Sequence, residues 1–228
     1  MRNLETHNVS KASCLSIGRF AIIVLLSTVL TIPSIAPVLG QNQGPKRTEE
    51  LIKRAERVVN STREAQDQLR KTIDIYNSIM QGTSSELRKE FESLQKELGN
   101  TQKKREDVQK KFAEMGQEAD RVFASWHQEI EGISSPQVRD LSRNRMMDTR
   151  QMYSSILMAS TEAGGEVDAL FATLNDHILF LGYDLNAAGV ASLSEEATKL
   201  NGQAGTLFAE IDATVAKLND YIQATRAQ

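Results

Sequence analysis

Between Pro45 and the last residue of this 228-residue chain there is one proline, Pro136. Proline in a helix interior costs about 3 kcal/mol, so its near-absence over 180 positions leaves room for long helices. The apolar residues fall where such helices need them. Leu51, Ala55, Val58, Thr62, Ala65, Leu69, Thr72, Tyr76 and Ile79 alternate steps of four and three. Ile52, Val59, Ile73 and Met80 widen that stripe, which predicts packing against more than one neighbour. A second run keeps the alternation from Leu87 through Phe91, Leu94, Leu98, Thr101, Arg105, Val108, Phe112, Met115, Ala119 and Val122 to Trp126. So sustained a heptad is strong evidence for helix-on-helix packing.

The corners are written in capping chemistry. Gly82 ends the first helix, and Thr83 with Glu86 three residues on forms a capping box. Ser135 before Pro136 starts the third helix. Its stripe runs Met152, Ile156, Ala159, Ala163, Val167, Leu170, Leu174, Ile178, Leu181 and Leu185. In its opening turns Val138, Leu141, Arg145 and Asp148 hold the core-like spacing. Asn186 to Gly189 breaks that helix, and Ser192 with Glu195 reads as another capping box. Leu193, Ala197, Leu200, Ala204, Leu207, Ile211, Val215, Leu218 and Ile222 complete a fourth. The predicted spans are 48–81, 84–131, 136–188 and 192–225.

Short corners make neighbours antiparallel. At 1.5 Å per residue the outer helices are about 50 Å long and the middle two about 70–80 Å. The expected fold is therefore all-α: an antiparallel up-down four-helix bundle whose long central helices project as a coiled-coil hairpin, over about 118–131 and 136–152. The shared apolar seam is expected to leave no cavity, and no exposed apolar stripe is read from the sequence. Gly164, Gly165, Gly182, Gly202 and Gly205 are read as sites of close helix contact or bending.

Residues 1–40 have a different character. Arg2, Lys11 and Arg19 precede an uncharged apolar run, Phe20 to Ile32, and Pro33 and Pro37 follow. Val38 and Gly40 suit the −3 and −1 positions of a signal peptide cut between Gly40 and Gln41. The alternative is a retained anchor, since Phe20 to Gly40 is nominally long enough to span. Residues 41–47 read as a linker and 48–226 as the helical domain. The sole cysteine, Cys14, precedes the apolar run, so lipidation there is not expected, and nothing after residue 40 forms a disulfide. These signals point to export into a bacterial envelope or periplasm.

Groups able to carry chemistry are few. After residue 40 the histidines are His127 and His177, and neither belongs to a metal-binding motif. His177 reads as a partly buried polar group, and His127 with Glu129 as solvated residues. Ser93 to Lys96 matches S-x-x-K but sits inside a heptad without companion motifs. No Gly-rich phosphate loop is present. No catalytic residue, cofactor or metal site is expected. The net charge of −3 excludes a generally cationic nucleic-acid binder. Lys103, Lys104, Arg105, Lys110 and Lys111 are interrupted by Glu106 and Asp107, which suits a solvated flank. Residues 151–228 hold three basic and ten acidic side chains, a field that steers cationic partners. Arg139, Arg143 and Arg150 can share one face of the hairpin near Trp126. They form a candidate partner surface, Trp126 being alternatively a core knob.

The segments Asp148-Thr149-Arg150-Gln151-Met152-Tyr153, Asp176-His177-Ile178-Leu179-Phe180-Leu181, Leu185-Asn186-Ala187 and Ala191-Ser192-Leu193 carry a family resemblance. The chain resembles the bacterial domain-of-unknown-function family twenty-nine fifty-nine over about residues 48–224. The resemblance implies an exported, all-helical, coiled-coil-rich protein. It implies no activity and no functional residues.

Three functions follow as expectations. The first is a non-enzymatic envelope scaffold or adaptor that binds protein partners of unknown identity. The second is a holdase-like chaperone for exported clients, and the third, least supported by the residues, is an enzyme. Homo-oligomers fit any of these, and membrane contact is expected only through a retained leader.

Overall fold

A computed structural model describes residues 43–82 and 86–227. The leader, the Gly40/Gln41 cleavage site and the Thr83 cap lie outside them. Among the described residues there are five helices and no strand: α1 Gln43–Met80, α2 Leu87–Glu131, α3 Pro136–Tyr183, α4 Ala187–Ser192 and α5 Ser194–Arg226.

Several boundaries differ from the sequence expectation for local reasons. Helix α1 begins at Gln43, inside the stretch 41–47 read as linker. Pro45 is tolerated because it falls in the first turn, where backbone N–H groups have no intrahelical acceptor. Gly82 follows α1 with φ +63°, the left-handed value that a C-terminal glycine supplies without strain. Helix α2 starts at Leu87, after Glu86, which gives no side-chain cap. Ser135 does cap α3, accepting from the Val138 N–H, with Pro136 in the first turn. Helix α3 stops at Tyr183, and Asn186 starts the extra helix α4 by accepting from Ala188 N (2.9 Å) and Gly189 N (3.0 Å). The predicted Ser192 cap does not form: its hydroxyl donates back to the Gly189 carbonyl at 2.7 Å, and α5 begins with Leu193 at its cap position.

Helix α1 packs on α2 and α5, and α3 packs on α5 and α2. Polar pairs give the directions. Arg54–Glu114, Glu64–Lys104, Gln68–Glu97 and Ser78–Glu90 descend α2 as α1 ascends. Glu56–Arg226, Gln66–Asp212 and Asn77–Asn201 do the same for α1 and α5. Arg105–Asp168 and Trp126–Ser142 do so for α2 and α3. Each adjoining pair thus runs in opposite senses.

The apolar seam is the core. In α1 Leu51, Ala55, Val58, Leu69, Tyr76 and Ile79 are buried, and in α2 Phe91, Leu94, Met115, Ala119 and Val122. Phe123, Tyr153 and Tyr221 link α2, α3 and α5, with ring centroids 6.1 and 6.3 Å apart. In α3 the inward set near the start is Met146, Thr149, Tyr153 and Ile156. Val138 and Leu141 are exposed, Leu141 to 64%, and so are Arg145 and Asp148. The expected register of those first turns is therefore rotated, because the stripe meeting Trp126 and Phe123 begins at Ser142, not Leu141.

Of the five glycines read as close contacts, Gly182 stands against α2, where a Cβ would meet the Phe91 ring at 3.7 Å, and the other four differ from expectation. A Cβ at Gly164, Gly165, Gly202 or Gly205 would meet nothing within 4 Å, so none marks a close helix contact. At Gly189 a Cβ would lie 2.1 Å from the Asp184 carbonyl oxygen. That contact is with backbone, which cannot rotate away. Gly189→Ala should cost about 1–3 kcal/mol in urea-induced unfolding. Gly202→Ala, in open space within α5, should instead stabilise by about 0.5–1 kcal/mol.

Candidate functional site

The seam is interrupted halfway along. Of the twelve heptad residues expected to bury on α2, Arg105, Val108 and Phe112 form a half-buried block in the middle. On α1 Ala65, and on α3 Val167, are also half-buried. All five line one cavity of about 550 Å³, reached by all four long helices. On its α3 side, between Ala163 and Val167, the successive Gly164 and Gly165 supply no side chain. The seam thus contains a cavity where the sequence reading expected none. A volume of this size falls in the range of small-molecule sites, which lie between the helices of bundles among other places.

The lining is mainly apolar, with Leu69, Phe112, Phe171 and Ile211 contributed one from each helix. Polar side chains also line it, Gln66, Thr101, Gln109 and Thr214 among them. Thr62 is 8% exposed, and its hydroxyl has no hydrogen-bond partner among the described residues. Arg105 of α2 forms an ion pair with the exposed Asp168 of α3 and also donates to Gln102 at 3.4 Å. This is one compensated pair of charges and not a converging set of acids and bases. Among the described residues no three His, Cys, Asp or Glu side chains gather to hold a metal ion. No described helix is long and apolar enough to cross a membrane.

The residues singled out as a partner surface hold the hairpin corner together. Trp126 is 6% exposed, and its indole N–H donates to Ser142 at 3.1 Å, so it occupies the core position. Arg139 donates through Nε and Nη2 to the Ile133 carbonyl, at 2.9 and 2.6 Å. Arg143 pairs with Asp140 and Glu131. The Arg150 guanidinium stands 5.9 Å from the Phe123 ring centroid. Ser93 is half-buried on α2, and His127 is exposed near its end. The basic cluster is a flank: Lys104 pairs with Glu64, and Lys111 with Asp107.

What the sequence reading missed lies on the outside of α3. Among the described residues the exposed large apolar side chains are Val138, Leu141, Met147, Leu157, Met158, Leu179, Phe180 and Tyr183, all on this helix. Met158, Leu179 and Tyr183 each stand two residues from an inward Ile156 or Leu181, about 200° round the helix. For all of them but Val138 and Leu141 the signal was present as apolar residues outside the heptad stripe.

Two buried polar groups tie distant helices together. Tyr76 of α1 and His177 of α3 share a 2.7 Å hydrogen bond inside the core. Burial pushes the His177 imidazole below its ordinary 6.5, against the opposing pull of Glu196 and Asp176. Glu97 accepts from Asn100, Gln68 and Lys71, which hold its carboxyl down to about 2. Both folded-state values lie below the unfolded ones, so both contributions are present at neutral pH and lost on acidification. Stability to urea should fall from pH 7 to 5 through His177, and again from about pH 4.5 towards 2 through Glu97. His177→Asn should flatten the first decline and Glu97→Gln the second; an unaltered profile in either variant would remove that assignment.

No curated protein and no solved structure matches the chain. One family model, described as Protein of unknown function (DUF2959), matches residues 40–225. With most of its length so matched, the chain belongs to that family.

Proposed function

We propose that this protein is a non-enzymatic helical adaptor of the bacterial envelope, exported by its leader. In this reading the four long helices form an up-down four-helix bundle. The α2–α3 corner extends beyond the α5 end as a short coiled-coil hairpin, and α3 presents the partner surface. One observation carries the reading: exposed large apolar residues among those described all fall on α3. They fall in groups along the helix, Val138–Leu141, Met147–Met158 and Leu179–Tyr183, and large apolar side chains gathered on one face-bearing element are where soluble proteins bind partners. Exposed Glu162, Glu166 and Asp176 share the helix with Met158 and Leu179. The partner that fits is a protein with an apolar ridge flanked by Lys and Arg, drawn in by the acidic carboxy-terminal half.

The same surface also favours the holdase reading, in which α3 grips unfolded exported clients. The two differ in selectivity. A photo-crosslinking residue placed at Met158 or Leu179 in living cells should give one discrete heteromeric adduct for an adaptor, and a broad ladder for a holdase. The same residue at the exposed Lys217 of α5 should give neither. An adduct at twice the chain mass would assign the face to a second copy. Equal labelling from all three positions would remove α3 as the partner surface.

A further inference from the structure

We infer that the cavity between the four long helices is a binding site for an uncharged, lipid-like small molecule. Two observations support the assignment. The cavity of about 550 Å³ is bounded by Leu69, Phe112, Phe171 and Ile211, an apolar wall from every long helix. Gly164 and Gly165 are part of its lining, and a side chain at either would meet nothing within 4 Å. Glycine in a helix interior is costly, and here it is not repaid by close helix contact.

Charge decides the class of head group. Arg105 is the cation of the lining, and Asp168 already neutralises it. An ionised carboxylate or phosphate would place a second negative charge against that pair in a half-enclosed, apolar setting, and its desolvation would go uncompensated. An uncharged molecule carries no such cost. The acidic bias of residues 151–228 acts in the same direction.

The full chain is titrated with N-phenyl-1-naphthylamine, whose fluorescence rises in apolar surroundings. Saturable uptake of one probe per chain is expected, displaced by oleyl alcohol and at least tenfold less well by oleate at pH 8. Gly164→Leu, which puts a side chain into the space and improves helix propensity, should fold normally yet take up probe at least about tenfold more weakly. Met158→Gln and Leu179→Gln, on the outer face of α3, should bind probe as the unaltered protein does. Full uptake by Gly164→Leu, or loss of uptake in the two outer-face variants, would overturn the site. Oleate binding as tightly as the alcohol would overturn the uncharged class.

Discussion

Register between α1 and α2 is set by polar pairs, and the rest of the architecture is referred to it. A stripe of leucines and valines packs nearly as well after sliding by one heptad, because each inward residue meets another of similar size. Thr72 and Thr101, bonded hydroxyl to hydroxyl at 2.8 Å inside the seam, have no such latitude. Neither has Glu97, which takes Gln68 and Lys71 from α1 and Asn100 from its own helix. Arg54–Glu114 and Ser78–Glu90 repeat the same alignment towards the two ends. Exposed ion pairs add little stability, but several that agree on one alignment disfavour every other. With α1 and α2 aligned, α5 is placed by Gln66–Asp212 and Asn77–Asn201, and α3 by Tyr76–His177.

The helices were legible in the sequence because the 3.6-residue period and the scarcity of proline act locally. The inward faces of α1 and α2 could be read off for the same reason. The beginning of α3 could not. Val138 and Leu141 have the right spacing and polarity for a core, but on α2 Trp126 is met by Ser142 and Phe123 by Tyr153, so the inward stripe of α3 is the neighbouring one. Which of two adjacent stripes turns inward is a property of the pair and not of either helix. The α4 corner was misread because two serviceable caps, Asn186 and Ser192, compete within seven residues, and the asparagine satisfies two backbone donors at once.

The cavity was hidden for a related reason. Arg105, Val108 and Phe112 continue the heptad without a break in the sequence. What fails is on the other side, where α3 offers Ala163-Gly164-Gly165 at the same level. A glycine pair within a helix is ambiguous until its neighbours are known. Here it leaves side chains without partners, so the core is continuous at both ends and thin in the middle. Three polar members of the heptads, Thr62, Thr101 and Arg105, lie at that level, and they were the available signal.

A chamber bounded by every long helix exists only while all of them are assembled. Whatever lodges in it has no counterpart site on the unfolded chain, so occupancy raises stability by mass action, as RT ln(1 + [L]/Kd). The melting temperature of this protein is then not a constant of its sequence. It becomes a gauge of what the surrounding compartment contains, and two preparations that differ only in their history of contact with detergent or lipid would read differently on it.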